Sequence, residues 1–148
     1  MRMLRDWGQE QRYHHLLKGF NYRMDAIQGA ILRIKLRHLE AWTEARRAHG
    51  RRYSLLLGGS ANLRTPVEIS DRRHVYHVYA IRSRDRDQLQ RVLSAEGIQS
   101  GLHYPIPVHL QKAHADLGYQ AGDFPISEAA AREVLSLPIY PEMPAWHV

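Results

Sequence analysis

Apolar residues along the first third of the chain recur at helical spacing. Met24, Ile27, Ile31 and Ile34 form one stripe, and Leu32, Leu36 and Leu39 form a second beside it. Three- and four-residue intervals of this kind mark an amphipathic helix. The pattern predicts one long helix from Met24 to about Leu57, stopped by Gly58-Gly59. Two adjacent stripes predict a broad buried face over its first half. The stretch from Trp42 to Arg52 has a thin apolar line and many charges, so it is expected to run along the surface. Gly29 and Gly50 interrupt the pattern at about 1 kcal/mol each relative to alanine. The first twenty residues lack periodicity and read as an irregular lead-in.

All 7 prolines lie after residue 65, which separates a helical half from a mixed one. Beyond a linker at residues 60–71, the β-branched and aromatic run from His74 to Ile81 predicts a strand. Asp85 is placed to cap a helix carrying Leu89, Val92 and Leu93, which Gly97 closes. Residues 98–103 predict a second short strand, ended by Pro105 and Pro107. A helix is expected near residues 108–116. Another starts with Pro125 in its first turn and runs through Val134 and Leu135. Leu137-Pro138-Ile139 reads as a short edge strand. The sum is an α+β fold, a small sheet with helices on one face and a long helix ahead of it. Neither end reads as anchored, so the pattern is expected to continue beyond both.

Composition narrows the chemistry. Of 148 residues 44% are hydrophobic and 24% are charged, ordinary for one globular domain. The chain has no cysteine, which excludes disulfides, cysteine–zinc sites and thiol catalysis. No apolar run reaches the roughly 20 residues of a membrane-spanning helix, and no signal peptide opens the chain. The cytoplasm is the default expectation. Residues 1–60 hold twelve Lys or Arg against five Asp or Glu, while residues 61–148 hold nine against ten. A basic half is compatible with nucleic acid, an anionic ligand or an acidic partner. The basic residues of the long helix (Arg33, Lys35, Arg37, Arg46, Arg47, Arg51 and Arg52) follow no groove-reading pattern, and a solvated face is the plainer reading.

The ten histidines show no metal-ligand spacing. His74 and His77 would point to opposite faces of a strand, and His109 and His114 are separated on a helix, so no metal is expected. No nucleophile elbow or phosphate-binding glycine loop is present. Two clusters resist a purely structural explanation. In Gly19-Phe20-Asn21-Tyr22-Arg23-Met24-Asp25, Asn21 and Arg23 beside a helix N-terminus could hold a phosphate. Equally, Asn21 could cap the helix while Arg23 pairs with Asp25. In His103-Tyr104-Pro105-Ile106-Pro107, a rigid turn presents polar rings at a strand end, suited either to a cleft or simply to a turn.

These clusters carry a resemblance. The run from Gly19 to Gln28 resembles the Gly-x-Asn-Tyr-Arg-Met motif of the DegT/DnrJ/EryC1/StrS aminotransferases, fold type I enzymes that use pyridoxal 5'-phosphate (PLP) on nucleotide-linked keto sugars. Residues 97–105 are similar to that family's Gly-Ile-x-x-x-x-His-Tyr-Pro, and residues 124–128 and 135–141 to its ending. The resemblance covers residues 2–142. It implies that the chain is the C-terminal part of such an enzyme. Residues 1–23 would close the large PLP domain, 24–58 would form the connecting helix, and 59–148 the small α+β domain, without the family's last helix. It also implies that Asn21 reaches the PLP phosphate of the other subunit of a homodimer, with Arg23 in the same motif. Tyr22, His103 and Tyr104 would face the nucleotide sugar. The Schiff-base lysine would lie upstream, and none of Lys18, Lys35 and Lys112 takes its place. The implied reaction moves an amine from an amino acid, expected to be glutamate, to the keto sugar, and the isolated chain is expected to be inactive. The competing reading is a non-catalytic binding or regulatory module, with the basic helix on an acidic partner or nucleic acid.

Overall fold

The computed structural model describes residues 1–148, which pack as two compact units, residues 1–40 and 41–148. In the first unit a short helix, α1 (Arg2–Arg5), leads into a small antiparallel hairpin of β1 (Gln9–Gln11) and β2 (His14–His15). The lead-in is therefore structured rather than irregular. Its ordering comes from the backbone: residues 19–22 return antiparallel to residues 4–8. Phe20 N–H donates to Leu4 O at 2.7 Å, Trp7 N–H to Phe20 O at 3.0 Å and Tyr22 N–H to Arg5 O at 2.8 Å. Helix α2 (Ala26–Leu36) follows.

The predicted single helix over 24–58 is two helices, α2 and α3 (Leu39–Leu57). At the joint the last turn of α2 tightens, with Arg37 N–H reaching Ile34 O and His38 N–H reaching Lys35 O. Burial is also the reverse of expectation. Ile27, Ile31, Leu32, Ile34 and Leu36 are all exposed, whereas Thr43, His49, Gly50 and Tyr53 of α3 are buried. The sequence pattern registers that the α2 face is apolar, and the chain itself supplies no cover for it. Gly50 has a packing reason: a Cβ there would lie 3.1 Å from the Tyr76 ring.

The second unit is built on a three-stranded antiparallel sheet, order β3 (Leu63–Arg64), β4 (Tyr79–Ser83) and β5 (Val134–Leu137). Tyr79 faces Leu137, and Ile81 faces Leu135. Tyr79, Ile81 and Leu135 are fully buried and form the core with Tyr53, Tyr76 and Met143. The Tyr53 and Tyr79 rings stack at 4.8 Å, and their hydroxyls are not orphaned. Tyr53 donates to Pro138 O at 2.9 Å, and Tyr79 shares a hydrogen bond with Ser54 at 2.8 Å, as buried phenols require. Helix α4 (Arg86–Ala95) starts after Asp85 and turns at Gly97, as the sequence predicts, and Leu89 and Leu93 pack on the core.

Four predicted elements shift. The strand expected over 74–81 begins only at Tyr79, because side chains claim the backbone before it. His74 N–H donates to Glu68, His74 O accepts from Arg47, and Tyr76 N–H donates to His74 Nδ1, so those groups cannot join a ladder. The strand expected over 98–103 reduces to one bridge, Gly101 opposite Ser136. The helix expected near 108–116 is two 3-10 turns, Val108–Leu110 and Lys112–Leu117. Helix α5 (Pro125–Glu133) does begin at Pro125, yet Val134 and Leu135 leave it for β5, where Arg82 and Ile81 pair with them. Arg86 closes this corner by donating to Val134 O at 3.1 Å.

The exposed α2 face predicts ready self-association of the isolated chain. The double substitution Ile27→Glu, Ile31→Glu is expected to raise the monomer fraction in sedimentation velocity, and an unchanged distribution would show that this face does not drive assembly.

Candidate functional site

Asn21 sits on the return segment of the first unit, in an isolated bridge with Asp6. Its place depends on close backbone contact. A Cβ on Gly19 would lie 2.2 Å from Gly8 N and 2.7 Å from Trp7 C, so only glycine fits there. Gly8 is buried at φ 71°, and a Cβ on it would strike Leu17 O. Arg23 does not pair with Asp25. Its guanidinium bonds Asp6 at 2.7 Å, and Gln9 donates to the other Asp6 oxygen at 2.8 Å. Those two donors, Gln9 first, hold the Asp6 carboxyl below the usual carboxylate range. Asp25, not Asn21, is the N-cap of α2 and forms a capping box with Gln28.

This arrangement matches neither reading of the cluster in full: Asn21 does not cap α2, Arg23 does not pair with Asp25, and the helix terminus and Arg23 are not open to a phosphate. The α2 terminus already holds the Asp25 carboxylate, which would repel a phosphate at the same amides. Arg23 is neutralised locally and ties residue 23 to residue 6. Asn21 is exposed, with no side-chain hydrogen bond within the chain, so its amide can donate to an external anion. Tyr22 is exposed and stacks on Phe20 at 5.1 Å. The donor set thus fits one phosphate contact, through Asn21, rather than a complete phosphate cradle.

His103 and Tyr104 belong to the second unit, separate from Asn21, Tyr22 and Arg23. They stand edge to face at 5.5 Å, joined by a cis peptide bond, at the mouth of a cavity of about 540 Å³. Tyr119, Phe124, Ala131 and Val134 are among the other residues that line it, and the wall is mainly apolar. His103 Nδ1 lies 2.9 Å from Ser136 Oγ, and Ser136 exchanges two backbone hydrogen bonds with Gly101, at 2.8 and 3.0 Å.

His109, which also lines the cavity, belongs to a pair that the sequence spacing did not reveal. Buried Glu128 accepts at one oxygen from His109 Nε2 at 3.1 Å, Gly122 N–H at 2.8 Å and Phe124 N–H at 3.4 Å. The Gly122 amide is the largest influence, with His109 and Phe124 adding to it, and together they keep the carboxyl below its ordinary value although burial opposes them. His109 also meets Phe124 edge to face at 4.8 Å. The sequence signal available was Glu128 in the first turn of a proline-started helix; its reach back to residues 109 and 122 depends on tertiary structure. No group of three or more His, Asp or Glu side chains is placed to hold a metal ion, and no helix is long and apolar enough to cross a membrane.

Two predictions follow from this geometry. Gly19→Ala is expected to cost about 1–3 kcal/mol, the usual range for atoms forced into filled space. It should also speed hydrogen exchange at the Trp7 amide, whose bond to Phe20 O it disrupts; unchanged exchange would contradict the contact. Glu128 has a lowered folded-state pKa, so its stabilisation is present above its ordinary value of 4.5 and is lost as pH falls through the lowered one. Glu128→Gln is expected to be less stable than wild type at neutral pH, with a gap that narrows below about pH 4.5 in denaturant titrations. A pH-independent gap would contradict the assignment.

Both the sequence and the fold have known relatives. Residues 1–148 match the DegT/DnrJ/EryC1/StrS aminotransferase family. The chain is 44% identical over 144 residues to a "pleiotropic regulatory protein" of Geobacillus stearothermophilus, covering 96% of this chain and 39% of that one. It is 43% identical over 143 residues to a dTDP-3-amino-3,4,6-trideoxy-alpha-D-glucose transaminase of Streptomyces venezuelae, covering 97% and 38%. Among solved structures, S. venezuelae DesV in complex with a ketimine intermediate superposes with a TM-score of 0.94 at 42% identity, over 99% of this chain and 40% of that one. The chain thus spans about two fifths of the length of the relatives it matches. Its fold is that of the C-terminal part of a fold type I transferase, and the chain belongs to the DegT/DnrJ/EryC1/StrS aminotransferase family.

Proposed function

We propose that the protein containing this chain is a PLP-dependent aminotransferase that moves an amino group from an amino acid, glutamate, to a nucleotide-linked keto sugar. The observation that carries the reading is Asn21: an exposed, uncommitted amide, fixed by the Gly19–Gly8 contact and the Arg23–Asp6 pair, in the family's motif. In this reading residues 1–23 close the large domain, residues 24–58 connect, and residues 59–148 are the small domain. Asn21 would donate to the PLP phosphate of a partner subunit in a homodimer. PLP, when bound, supplies the electron sink for moving the amine. Arg23 holds Asn21 in place through Asp6 rather than contacting the cofactor itself. His103 and Tyr104 orient the sugar nucleotide, with the apolar cavity wall excluding water beside them, and Tyr22 is assigned a substrate contact through its place in the family's motif. Names of relatives support the substrate class: they include dTDP-sugar and UDP-sugar transaminases.

A second reading has its own support, since two relatives carry regulatory names, the Geobacillus protein and an erythromycin biosynthesis "sensory transduction protein" 42% identical over 143 residues. In it, a non-catalytic module uses exposed Arg51 and Arg52 on an acidic partner or nucleic acid. Arg47 of the same helix is already paired with Glu44 and Glu68, and Arg73 with Glu44. Retention on DNA that falls steeply with salt would favour this reading, and a shallow dependence the enzyme.

The direct test uses the purified chain with added PLP. None of Lys18, Lys35 and Lys112 is assigned the cofactor-binding role, so no lysine-bound cofactor absorbance that glutamate discharges is expected. Such a band would show that the chain holds a competent lysine and overturn its expected inactivity.

A further inference from the structure

Gly101 and Ser136 have no role in the function proposed above, yet the structure joins both to His103. Ser136 is buried, with 5% of its surface exposed, and its hydroxyl lies 2.9 Å from His103 Nδ1. The opposite face of the slot is Gly101, where a Cβ would come within 2.7 Å of His103 Cε1. Backbone hydrogen bonds in both directions fix residue 101 against residue 136. Strand alternation explains the placement: Leu135 enters the core, so Ser136 and Val134 face the other way, the side on which Val134 lines the cavity that His103 borders.

We infer that Gly101 and Ser136 are positioning residues that hold the His103 imidazole in one orientation and one tautomer, with Nδ1 as acceptor and Nε2–H as the donor offered to a ligand. The hydroxyl hydrogen of Ser136 has one acceptor within reach, His103 Nδ1. If Nδ1 carried the proton, the ring would donate to Oγ and a buried hydroxyl hydrogen would be left without an acceptor, which is the costlier arrangement. With Nδ1 accepting, both groups are satisfied. Nε2, which has no partner within the chain, then carries the proton and suits an acceptor oxygen of a sugar or phosphate. The Gly101 slot adds the steric half of the device, since any larger residue there pushes the ring off Ser136. The orientation stands on geometry alone; its use toward a nucleotide sugar rests on the proposed function.

The test is nitrogen-15 NMR of the histidine-labelled 148-residue chain at a pH where the rings are neutral, with His103→Gln used to assign the signal. The expected result is an unprotonated, hydrogen-bonded Nδ1, a protonated Nε2 and a strong nuclear Overhauser contact between His103 Hε1 and the Gly101 α protons. Ser136→Ala should shift Nδ1 toward the position of a free acceptor nitrogen and weaken that contact several-fold. Gly101→Ala retains the serine hydroxyl and should displace the ring by sterics, so the inference does not depend on one variant folding. A proton on Nδ1 in wild type, or a ring signal unmoved in either folded variant, would overturn it. Titration with dTDP-glucose separates the two claims. Movement of the Nε2 signal supports His103 as a ligand donor, whereas a static Nε2 beside the expected Nδ1 pattern removes His103 from the proposed binding site and leaves its positioning intact.

Discussion

The antiparallel pairing of β4 with β5 is the interaction on which the second unit depends. Tyr79 and Ile81 bring two fully buried side chains to it, and β5 contributes Leu135, also fully buried. Each such side chain contributes roughly 1.5–3 kcal/mol when removed from water, and no other pair of elements in the unit concentrates so much burial. Because side chains alternate along a strand, fixing Leu135 inward fixes Ser136 outward. Helix α5 runs into β5 without a loop, Glu133 being followed at once by Val134, so the register of β5 also sets where Glu128 stands. The Arg82–Glu133 pair at 2.8 Å and the Arg86 bond to Val134 O secure that junction.

Both candidate clusters follow one construction rule, in which a glycine admits a close approach and a polar pair then sets the geometry. In the first unit Gly19 lies against Gly8, and Arg23 is tied to Asp6. In the second, Gly101 makes room for His103, and Ser136 bonds it. The residues expected to meet a ligand, Asn21 and His103, are therefore held through neighbours that do not need to touch it. Such support is how a site acquires its precision.

Local signals in the sequence are legible where a terminus depends on one residue's own backbone preference. Gly97, at φ 74°, and Pro125, in the first turn of α5, act through turn and terminus preferences that need no distant partner, whereas Asp85 precedes α4 without a side-chain cap bond and Gly58 follows α3 without a left-handed backbone. The motifs at residues 19–28 and 97–105 gave the family. What the sequence could not convey was which faces find cover. The α2 stripe is more apolar than that of α3, yet α3 is the helix that buries Tyr53 and Gly50, because Tyr76 and Tyr79 come to meet it across 23 or more positions. The strand expected at His74 was lost to Glu68 and Arg47, residues whose distance in sequence hides their competition for its backbone. Gly101 falls within the strand predicted over 98–103, and its purpose is visible only once the His103 ring occupies the space above it.

Native-state hydrogen exchange at Gly101 and Ser136 tests most directly whether the sheet carries the site. If the β4–β5 pairing holds His103 in place, these two amides, each donating to the other residue's carbonyl across the outer edge of β5, should open only with the amides of β4, at the same free energy. Fast exchange at residues 101 and 136 while β4 stays protected would contradict the account. It would show that the His103 turn opens independently of the core.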